Sequence, residues 1–343
     1  MIAPIAHEYD PVGYGPWERV THDLTERLAA DGVDVTLFAP AGTKTAARLV
    51  ATVPGPLSQL ADADARLFET LHLATAMEEA SNGSFDVLHS HLHVHALGYT
   101  PLLQIPLVTT LHGAAWNQAH HPLLMRYRDA PFVSLSDRER AFLPGLNYVA
   151  TIANGLDLSH FRVGTGRGDY LAFVGRMAPE KAPDLAVEVA RLAGIELRLA
   201  GPAEDRHRDF FDGVMSATDT EYVGHLERRD LATFLGDARA LVMPLRWEEP
   251  FGLVVIESLA AGTPVIAWRR GAMPEIIEDG RTGFLVDDVA SAAHAVSAIS
   301  SLDRRHCRQS AADRFSDARM AREYRQVYEF VTESSRQAGR PRA

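Results

Sequence analysis

Short apolar runs alternate with amphipathic segments along the whole chain. The run VDVTLFAP at 33–40, for example, follows WERVTHDLTERLAADG at 17–32, in which apolar residues recur at helical spacing. Strands buried on both faces read as near-continuous apolar runs, and strands that alternate with helices are typical of parallel sheets joined by crossover helices. The pattern therefore predicts an α/β protein with doubly wound parallel sheets.

Two series of such elements follow each other, and the glycine-rich stretch VGTGRG at 163–168 between them predicts a linker. In the first series we predict strands at 1–5, 33–39, 86–90, 107–111, 131–135 and 148–153, and helices near 17–31, 57–82 and 94–103. In the second we predict strands near 170–174, 195–200, 221–223, 240–244, 264–268 and 284–286. We therefore expect an N-terminal Rossmann-like domain over 1–155 and a C-terminal one over 156–316. A helix over 317–333 can pack on either sheet or cross back to the N-terminal domain.

Composition excludes several classes of function. The 343 residues are 46% hydrophobic and 23% charged, as in ordinary globular proteins. A net charge of −11 argues against a nucleic-acid partner, which requires a concentrated basic surface. No apolar run reaches the about 20 residues that span a bilayer, and the first residues lack signal-peptide character, so we expect a cytoplasmic enzyme without stable membrane anchoring. The single cysteine, Cys307, excludes a disulfide within the chain.

Four histidines occupy every second position of DVLHSHLHVHALGY at 86–99. In an extended strand His89, His91, His93 and His95 would project from one face, where two or three could share a metal ion. The competing interpretation is a buried strand that runs into a loop at the edge of a cleft. Apart from Asp86, no carboxylate or cysteine lies within six residues of His91. We therefore predict no metal site.

The stretch ALVMPLRWEEPFGLVVIESLAAGTPVIAW at 240–268 carries the strongest chemical signal. It predicts a strand, a loop, a helix that begins near Gly252, and a further strand. A helix N-terminus at the carboxyl edge of a parallel sheet favours the binding of a diphosphate. Within that helix Glu257 can accept two hydrogen bonds from a ribose diol. Glu249, ahead of the helix, would reach past the phosphates.

A second stretch, LAFVGRMAPEKAPDLAVEVA at 171–190, supplies positive charge to the same edge. Its strand ends at Gly175, so Arg176 and Lys181 emerge where they can neutralise charge on a departing phosphate. The alternative for each is a solvated surface charge. We interpret Glu248 and Glu275, in contrast, as structural residues.

These segments resemble a known family. The spacing in EPFGLVVIE, a Glu followed by seven residues and a second Glu, is similar to the signature of GT4-type retaining glycosyltransferases of the GT-B fold. Further segments match in order: YGPWERV, TLHG, ANGLD, FVGRMAPEKAPDLAVEVA, LAGP, YVGHLERRDL and GAMPEIIEDGRTGFLVD. The resemblance implies two Rossmann-like parallel-sheet domains that face each other across a cleft, with the acceptor in the N-terminal domain and the nucleotide-sugar donor in the C-terminal one.

The resemblance also implies roles for individual residues. Glu257 would hold the ribose, Glu249 the donor sugar, and Arg176 and Lys181 the diphosphate. His112, at the end of LVTTLH, would contact the donor sugar and is our fourth catalytic candidate beside Glu249, Arg176 and Lys181. The remaining candidates for donor binding are Gly15, Gly201, His225, Phe251, Gly252, Leu253 and Val254.

The loop after the first strand departs from the family. Paired glycines are expected there, but in VGYGPWE Gly13 and Gly15 flank Tyr14, and Pro16 stands in the place of a second glycine. Proline has no N–H, so one amide contact is lost, and how this loop contacts the donor stays open. The resemblance predicts in addition that His89 and His91 line the cleft floor or bond to backbone. An acceptor-side loop or a solvated surface are equal alternatives for His120 and His121.

The sequence thus predicts a metal-independent retaining hexosyltransferase that needs no cofactor and moves a sugar, from a UDP-sugar in preference to other donors, to the hydroxyl of a small molecule or oligosaccharide. Its Ala- and Arg-rich, cysteine-poor composition and the YGPWERVT variant point to an actinomycete antibiotic pathway, of the avilamycin (orthosomycin) type. A nucleotide-sugar isomerase of the hydrolysing 2-epimerase type is the alternative, and a metal hydrolase built on the histidines is a third. The sugar, the acceptor and the oligomeric state stay open.

Overall fold

A computed structural model describes residues 1–7, 15–60, 64–82, 85–217 and 219–338. The chain forms two compact units. The first consists of Met1–Gly155 together with the helical segment that starts at Asp317, and the second of Leu156–Ser316. Within the described residues no helix is both long enough and apolar enough to cross a membrane.

The first unit is built on parallel strands. They are β1 (Thr36–Pro40), β2 (Arg48–Val53), β3 (Leu88–Ser90), β4 (Leu107–Thr110), β5 (Phe132–Ser134) and β6 (Tyr148–Thr151). β1 pairs with β2, and β3 to β6 form a four-stranded sheet in sequence order. Ile2 joins the two groups, because it bridges in parallel to Phe38 of β1 and to Ser90 of β3.

The first unit differs from the prediction in several elements. At the predicted strand 1–5 only Ile2 forms strand bridges, since Pro4 has no N–H to continue the pairing. The predicted helix 57–82 is a 3₁₀ turn at Leu57–Gln59 followed by a helix from Ala65, which the Asp64 side chain caps. The predicted helix 94–103 is a 3₁₀ segment, Leu97–Leu102, which contains Pro101. The strand β2 was not predicted.

The helices of the first unit are α1 (Pro16–Ala30), α2 (Ala65–Ser81), α3 (His121–Arg126), α4 (Asp137–Phe142) and the C-terminal helix (Asp317–Ala338). The C-terminal helix packs against the sheet of this unit. Its Met320 and Tyr324 are buried, and the Tyr324 hydroxyl lies 2.9 Å from the Thr110 hydroxyl at the end of β4. The broad apolar face of this helix thus completes the core of the first unit.

The second unit holds one six-stranded parallel sheet. Its strands are β7 (Tyr170–Val174), β8 (Glu196–Ala200), β9 (Thr220–Gly224), β10 (Ala240–Met243), β11 (Val265–Trp268) and β12 (Gly283–Val286), in the order β12-β11-β10-β7-β8-β9. The helices are α5 (Pro183–Ala193), α6 (Arg208–Met215), α7 (Arg228–Asp237), α8 (Leu253–Ala260), α9 (Met273–Ile276), α10 (Val289–Ala298) and α11 (Arg304–Arg314). Buried apolar side chains from the strands and from α5, α6 and α10 form its core.

Candidate functional site

The strand order of the second unit determines where a ligand can bind. β7 and β10 are neighbours in the middle of the sheet. The strands β8 and β9 follow β7 on one side, and β11 and β12 follow β10 on the other side, so the strand order reverses between β7 and β10. Such a reversal opens a crevice at the carboxyl ends of the two strands, where α/β proteins bind their ligands. The loop after β7 carries Arg176 and Lys181, and the loop after β10 carries Trp247 and Glu249.

Lys181 and Glu249, 68 residues apart in sequence, form an ion pair in this crevice. The Lys181 Nζ donates a short hydrogen bond to Glu249 Oε2, and the Trp247 Nε1 donates to the same oxygen at 2.9 Å. The ammonium nitrogen also lies 4.6 Å from the centre of the Trp247 ring, a cation–π distance. The Lys181 and Glu249 side chains are 14% and 12% exposed, so water screens their attraction only partly.

Arg176 has a carboxylate partner of its own. Its guanidinium lies 2.8 Å from Glu180, four residues further along the same loop, and both side chains keep partial contact with solvent. Such an ion pair contributes about 0–1 kcal/mol to the free energy of folding, so a phosphate can replace Glu180 as the partner of Arg176 at little cost. The structure thus brings both predicted cations to one edge of the sheet, each held by a carboxylate.

Two glycines allow the loops at this edge to approach each other. A Cβ at Gly201, the residue after β8, would lie 2.1 Å from the carbonyl oxygen of Gly175. A Cβ at Gly271, in the loop after β11, would lie 2.4 Å from the Glu249 backbone nitrogen, and the adjacent Ala272 N–H donates to the Glu249 carbonyl at 2.9 Å. The loop after β11 therefore holds the backbone of Glu249, a contact that the sequence did not reveal.

The helix α8 begins directly behind this loop. Gly252 has a φ of +93°, which favours glycine, and the first helical residue is Leu253, followed by Val254. The first turn of a helix carries N–H groups without acceptors inside the helix, so it can bind an anion. Phe251 is buried ahead of the helix, and Glu257 is 2% exposed within it.

Three other acidic or basic residues were singled out in the sequence of this unit. Glu248 accepts a hydrogen bond from the Gly271 N–H at 2.8 Å, in keeping with its interpretation as a structural residue. Glu275 lies in the four-residue helix α9. His225 directly follows β9, the edge strand, and is exposed.

The strand order of the first unit reverses as well, at Ile2, which bridges to both β1 and β3, and His112 follows β4 after one residue. His112 has a φ of +47° and Gly113 one of +91°, so two successive residues adopt the left-handed conformation. The buried Glu139 side chain accepts from the Gly113 N–H at 2.6 Å and from the Leu135 N–H at 2.9 Å. Burial raises the pKa of Glu139 to about 7, against the effect of these two hydrogen bonds. Glu139 thereby stabilises the strained turn that carries His112.

The rings of the histidine run bond to other side chains, and its main chain bonds to the backbone of Ile2: the Ile2 N–H donates to the His89 carbonyl at 2.7 Å, and the His91 N–H donates to the Ile2 carbonyl at 3.0 Å. The two ring nitrogens of His89 lie 2.7 Å from the Tyr328 hydroxyl and 2.8 Å from the Thr110 hydroxyl. His91 Nδ1 lies 2.9 Å from His112 Nε2. The sequence did not indicate these partners, because Tyr328 lies 239 residues away from His89. Among the described residues no three His, Cys, Asp or Glu side chains are placed to hold a metal ion.

His93, His120 and His121 lie around Trp17 and the loop after β4. The Trp17 ring, which is 41% exposed, lies 4.3 Å from the His93 ring. His120 lies 3.2 Å from the Asn117 side chain, and His121 bonds to the Ala115 carbonyl at 2.7 Å. These contacts are compatible with both interpretations of His120 and His121.

Gly15 directly precedes α1, next to a buried carboxylate. A Cβ at Gly15 would lie 2.8 Å from the Glu18 side chain, which also accepts a hydrogen bond from the His7 N–H at 3.1 Å. Burial raises the pKa of Glu18 to about 7. Gly13 and Tyr14 lie outside the described residues, so the contacts of the loop stay a prediction.

Comparisons with known proteins agree with these two units. The model of glycosyltransferase family 4 matches residues 17–159, and that of glycosyl transferases group 1 matches residues 160–314. Glycogen synthase of Mycobacterium tuberculosis is 30% identical over an alignment of length 360. The alignment covers 87% of this chain and 85% of that protein. The D-inositol 3-phosphate glycosyltransferase of Mycobacterium avium is 29% identical over 312 residues, which cover 74% of this chain and 73% of that protein.

Solved structures share the fold at lower identity. Sucrose-phosphate synthase of Thermosynechococcus elongatus matches with a TM-score of 0.78 and 21% identity, over 97% of this chain and 96% of that one. AviGT4, a glycosyltransferase involved in avilamycin A biosynthesis, matches with a TM-score of 0.72 and 21% identity, over 95% and 93%. HepE of Anabaena, solved with UDP and glucose, matches with a TM-score of 0.71 and 18% identity, over 94% and 100%. The chain therefore belongs to the GT4-type glycosyltransferases and has their GT-B fold.

Proposed function

We propose that this glycosyltransferase moves a sugar from a UDP-sugar to an acceptor hydroxyl, with retention of the anomeric configuration and without a metal ion. The observation that carries the proposal is the pair of Lys181 and Glu249 beside Arg176, at the reversal of the strand order and ahead of α8. Two cations and a helix N-terminus suit a diphosphate, and a carboxylate next to them suits the sugar attached to it.

Each group then has a defined task. Arg176 and Lys181 bind the diphosphate, and the N–H groups at the start of α8 bind it from the other side. Glu257 holds the ribose diol, while Glu249 orients the sugar and, in the absence of donor, keeps Lys181 in place. We assign the acceptor to the first unit, in line with the family resemblance, which also implies a role for His112 in donor binding.

The comparisons support UDP as the nucleotide. HepE of Anabaena was solved with UDP, with UDP and glucose, and with UDP-glucose. An antibiotic pathway stays a prediction, because the likeness to AviGT4 at 21% identity extends to the fold alone.

The proposed chemistry needs no further reactant. The bond between the anomeric carbon and the β-phosphate oxygen breaks, the acceptor oxygen attacks the same face, and its proton moves to the departing phosphate. Negative charge grows on that phosphate in the transition state. Fixed cations stabilise such charge in place of a metal ion.

Nucleotide binding and turnover test the proposal separately. We expect calorimetry to show tighter binding of UDP than of ADP or GDP. With UDP-glucose, release of UDP should depend on an added sugar acceptor, and the product should keep the configuration of the donor. Release of UDP together with an isomerised free sugar, without any acceptor, would instead identify an epimerase. If none of the three nucleotides binds, the proposed donor site is wrong.

A further inference from the structure

The turn that carries Lys181 has a strained backbone. Ala182, the next residue, has a φ of +58° and a ψ of +49°, in the left-handed region, and it is fully buried. The Cβ of an L-residue is crowded in this conformation, so a residue other than glycine keeps it only where the surrounding structure holds it. Within the turn, the Ala182 N–H reaches the Ala178 and Pro179 carbonyls at 3.3 and 3.2 Å. These distances lie at the upper limit for N–H···O hydrogen bonds, so the two bonds are weak.

Arg246, in the loop after β10, holds this turn from outside. Its N–H donates to the Glu180 carbonyl at 3.0 Å, and its Nη1 donates to the Pro179 carbonyl at 3.1 Å. Its Nη1 and Nη2 also donate to the two carboxylate oxygens of Asp184, at 2.7 and 2.6 Å. Arg246 therefore contacts the two residues before Lys181 and a residue three positions after it.

The same loop holds the side chain of this lysine. Trp247 and Glu249 contact the Lys181 ammonium group, while Arg246 holds the backbone around it. One short segment after β10 thus determines both the path of the chain at Lys181 and the place of its charge. The Arg246 carbonyl accepts in turn from Arg270 Nη1 at 2.9 Å, which ties this segment to the loop after β11.

We propose, on the basis of the function proposed above, that Arg246 is a positioning residue that places the Lys181 ammonium for the diphosphate. The side chains of Arg246 and Asp184 are 40% and 34% exposed, so their ion pair contributes little to the free energy of folding. The contacts of Arg246 instead select the left-handed conformation of the turn. Its loss should therefore affect turnover far more than stability.

The placement of Lys181 can be measured without any substrate. The chain contains two lysines, Lys181 and the exposed Lys44, so Lys44 serves as an internal reference. Trace acetylation of the folded protein with acetic anhydride, followed by mass spectrometry, gives the reactivity of Lys181 relative to Lys44. An ammonium held between Glu249 and Trp247 is shielded from the reagent, so we expect Lys181 to react more slowly. Equal reactivity of the two lysines in the wild-type protein overturns the proposal.

A pair of variants separates the turn from the charge of Arg246. Arg246→Met removes the guanidinium and keeps the backbone N–H. We expect the relative acetylation of Lys181 to rise about fivefold, the change in population that follows from one lost hydrogen bond. The kcat at saturating UDP-glucose should fall by roughly 10–100-fold, because a misplacement of about 1 Å costs up to about 10²-fold. The double variant Arg246→Met/Ala182→Gly should recover at least half of both changes on a logarithmic scale, since glycine adopts the left-handed conformation without strain.

The matched control is Arg198→Met, because Arg198 forms a similarly exposed ion pair with Glu221 in the same unit. It should change neither the relative acetylation of Lys181 nor kcat. If Arg246→Met behaves like this control in both measurements, Arg246 does not position Lys181.

The remaining outcomes also decide the question. If Ala182→Gly does not restore what Arg246→Met has lost, Arg246 acts by another route than the turn, and the proposal is overturned. If Arg246→Met does not fold, Asp184→Asn weakens the same ion pair, and wild-type acetylation in that variant contradicts the proposal. If the acetylation of Lys181 follows the expectation but wild-type protein does not consume UDP-glucose, the proposed function fails while the role of Arg246 in placing Lys181 stands.

Discussion

Replacement of Lys181 by Met should impair stability and turnover for two separable reasons. The variant leaves the Glu249 carboxylate with the Trp247 N–H at 2.9 Å but without its cation. Breaking a fully buried ion pair costs about 3–5 kcal/mol. Since the two side chains are 14% and 12% exposed, we expect the lower value of about 2 kcal/mol in the free energy of unfolding.

The expected effect on turnover is larger. Charge on the departing phosphate grows as the glycosidic bond breaks, so the loss of one preorganised cation should lower kcat at saturating donor by roughly 10²–10³-fold. The double variant Lys181→Met/Glu249→Gln removes both charges and should recover at least half of the lost stability. It should not recover turnover, because Glu249 is proposed to act on the sugar itself.

Urea unfolding and steady-state release of UDP from UDP-glucose measure the two quantities. Arg198→Met is the control for loss of a cation within the same unit, since Arg198 pairs at the sheet surface with Glu221 at 2.9 Å. It should change stability by less than about 1 kcal/mol and leave kcat unchanged. If turnover returns together with stability in the double variant, the pair is structural and Lys181 does not act on the phosphate.

Three further predictions concern the nucleotide, the metal and the pH. Glu257→Ala should weaken UDP binding in calorimetry by about 1.5–3 kcal/mol, the value of a charged hydrogen bond, and unchanged affinity would remove Glu257 from the site. EDTA should leave turnover intact, whereas a complete loss that zinc restores would revive the metal site. Burial lowers the pKa of His72 to about 4, so this residue contributes stability that is present above about pH 6.5 and is lost as the pH falls towards 4. His72→Asn keeps a hydrogen-bond partner for the Thr52 hydroxyl but cannot titrate, so between pH 6.5 and 4 the free energy of unfolding should fall less steeply, by about 1.4 kcal/mol per pH unit. Equal slopes in the variant and the wild type would contradict the shift.

The strands and the loops of the second unit were predictable, because the sequence patterns that indicate them lie within short segments of the chain. A buried parallel strand reads as an apolar run, and Glu249, Gly252 and Glu257 lie within one strand–loop–helix segment. The strand β2 was missed, and four of its six residues are exposed or half-buried, so it lacks the burial on both faces that is typical of the other strands. The helix predicted over 57–82 was too long. Apolar residues recur on both sides of Asp64, but the Asp64 side chain caps a helix that begins only at Ala65.

Contacts between distant segments could not be predicted. The sequence placed Lys181 and Glu249 at the same edge, but it gave no indication that they pair or that Trp247 joins them. One of the two partners of His89, Tyr328, comes from the C-terminal helix, and the contact of His91 with Met1 spans 90 residues. Hydrogen bonds of this kind depend on side-chain positions that follow from the complete fold, and hydrophobic periodicity contains no information about them.

The placement of the C-terminal helix in the first unit has a consequence for folding during synthesis. Residues 156–316 form a continuous unit, whereas the first unit lacks Tyr324 and Tyr328 until the last segment has left the ribosome. Until then His89 and Thr110 have no tyrosine hydroxyls to bond, and the apolar surface beneath the helix is open to water. We therefore expect the second unit to become protease-resistant first, although the first unit begins earlier in the chain. The N-terminal half is accordingly the part that depends most on chaperones while translation continues.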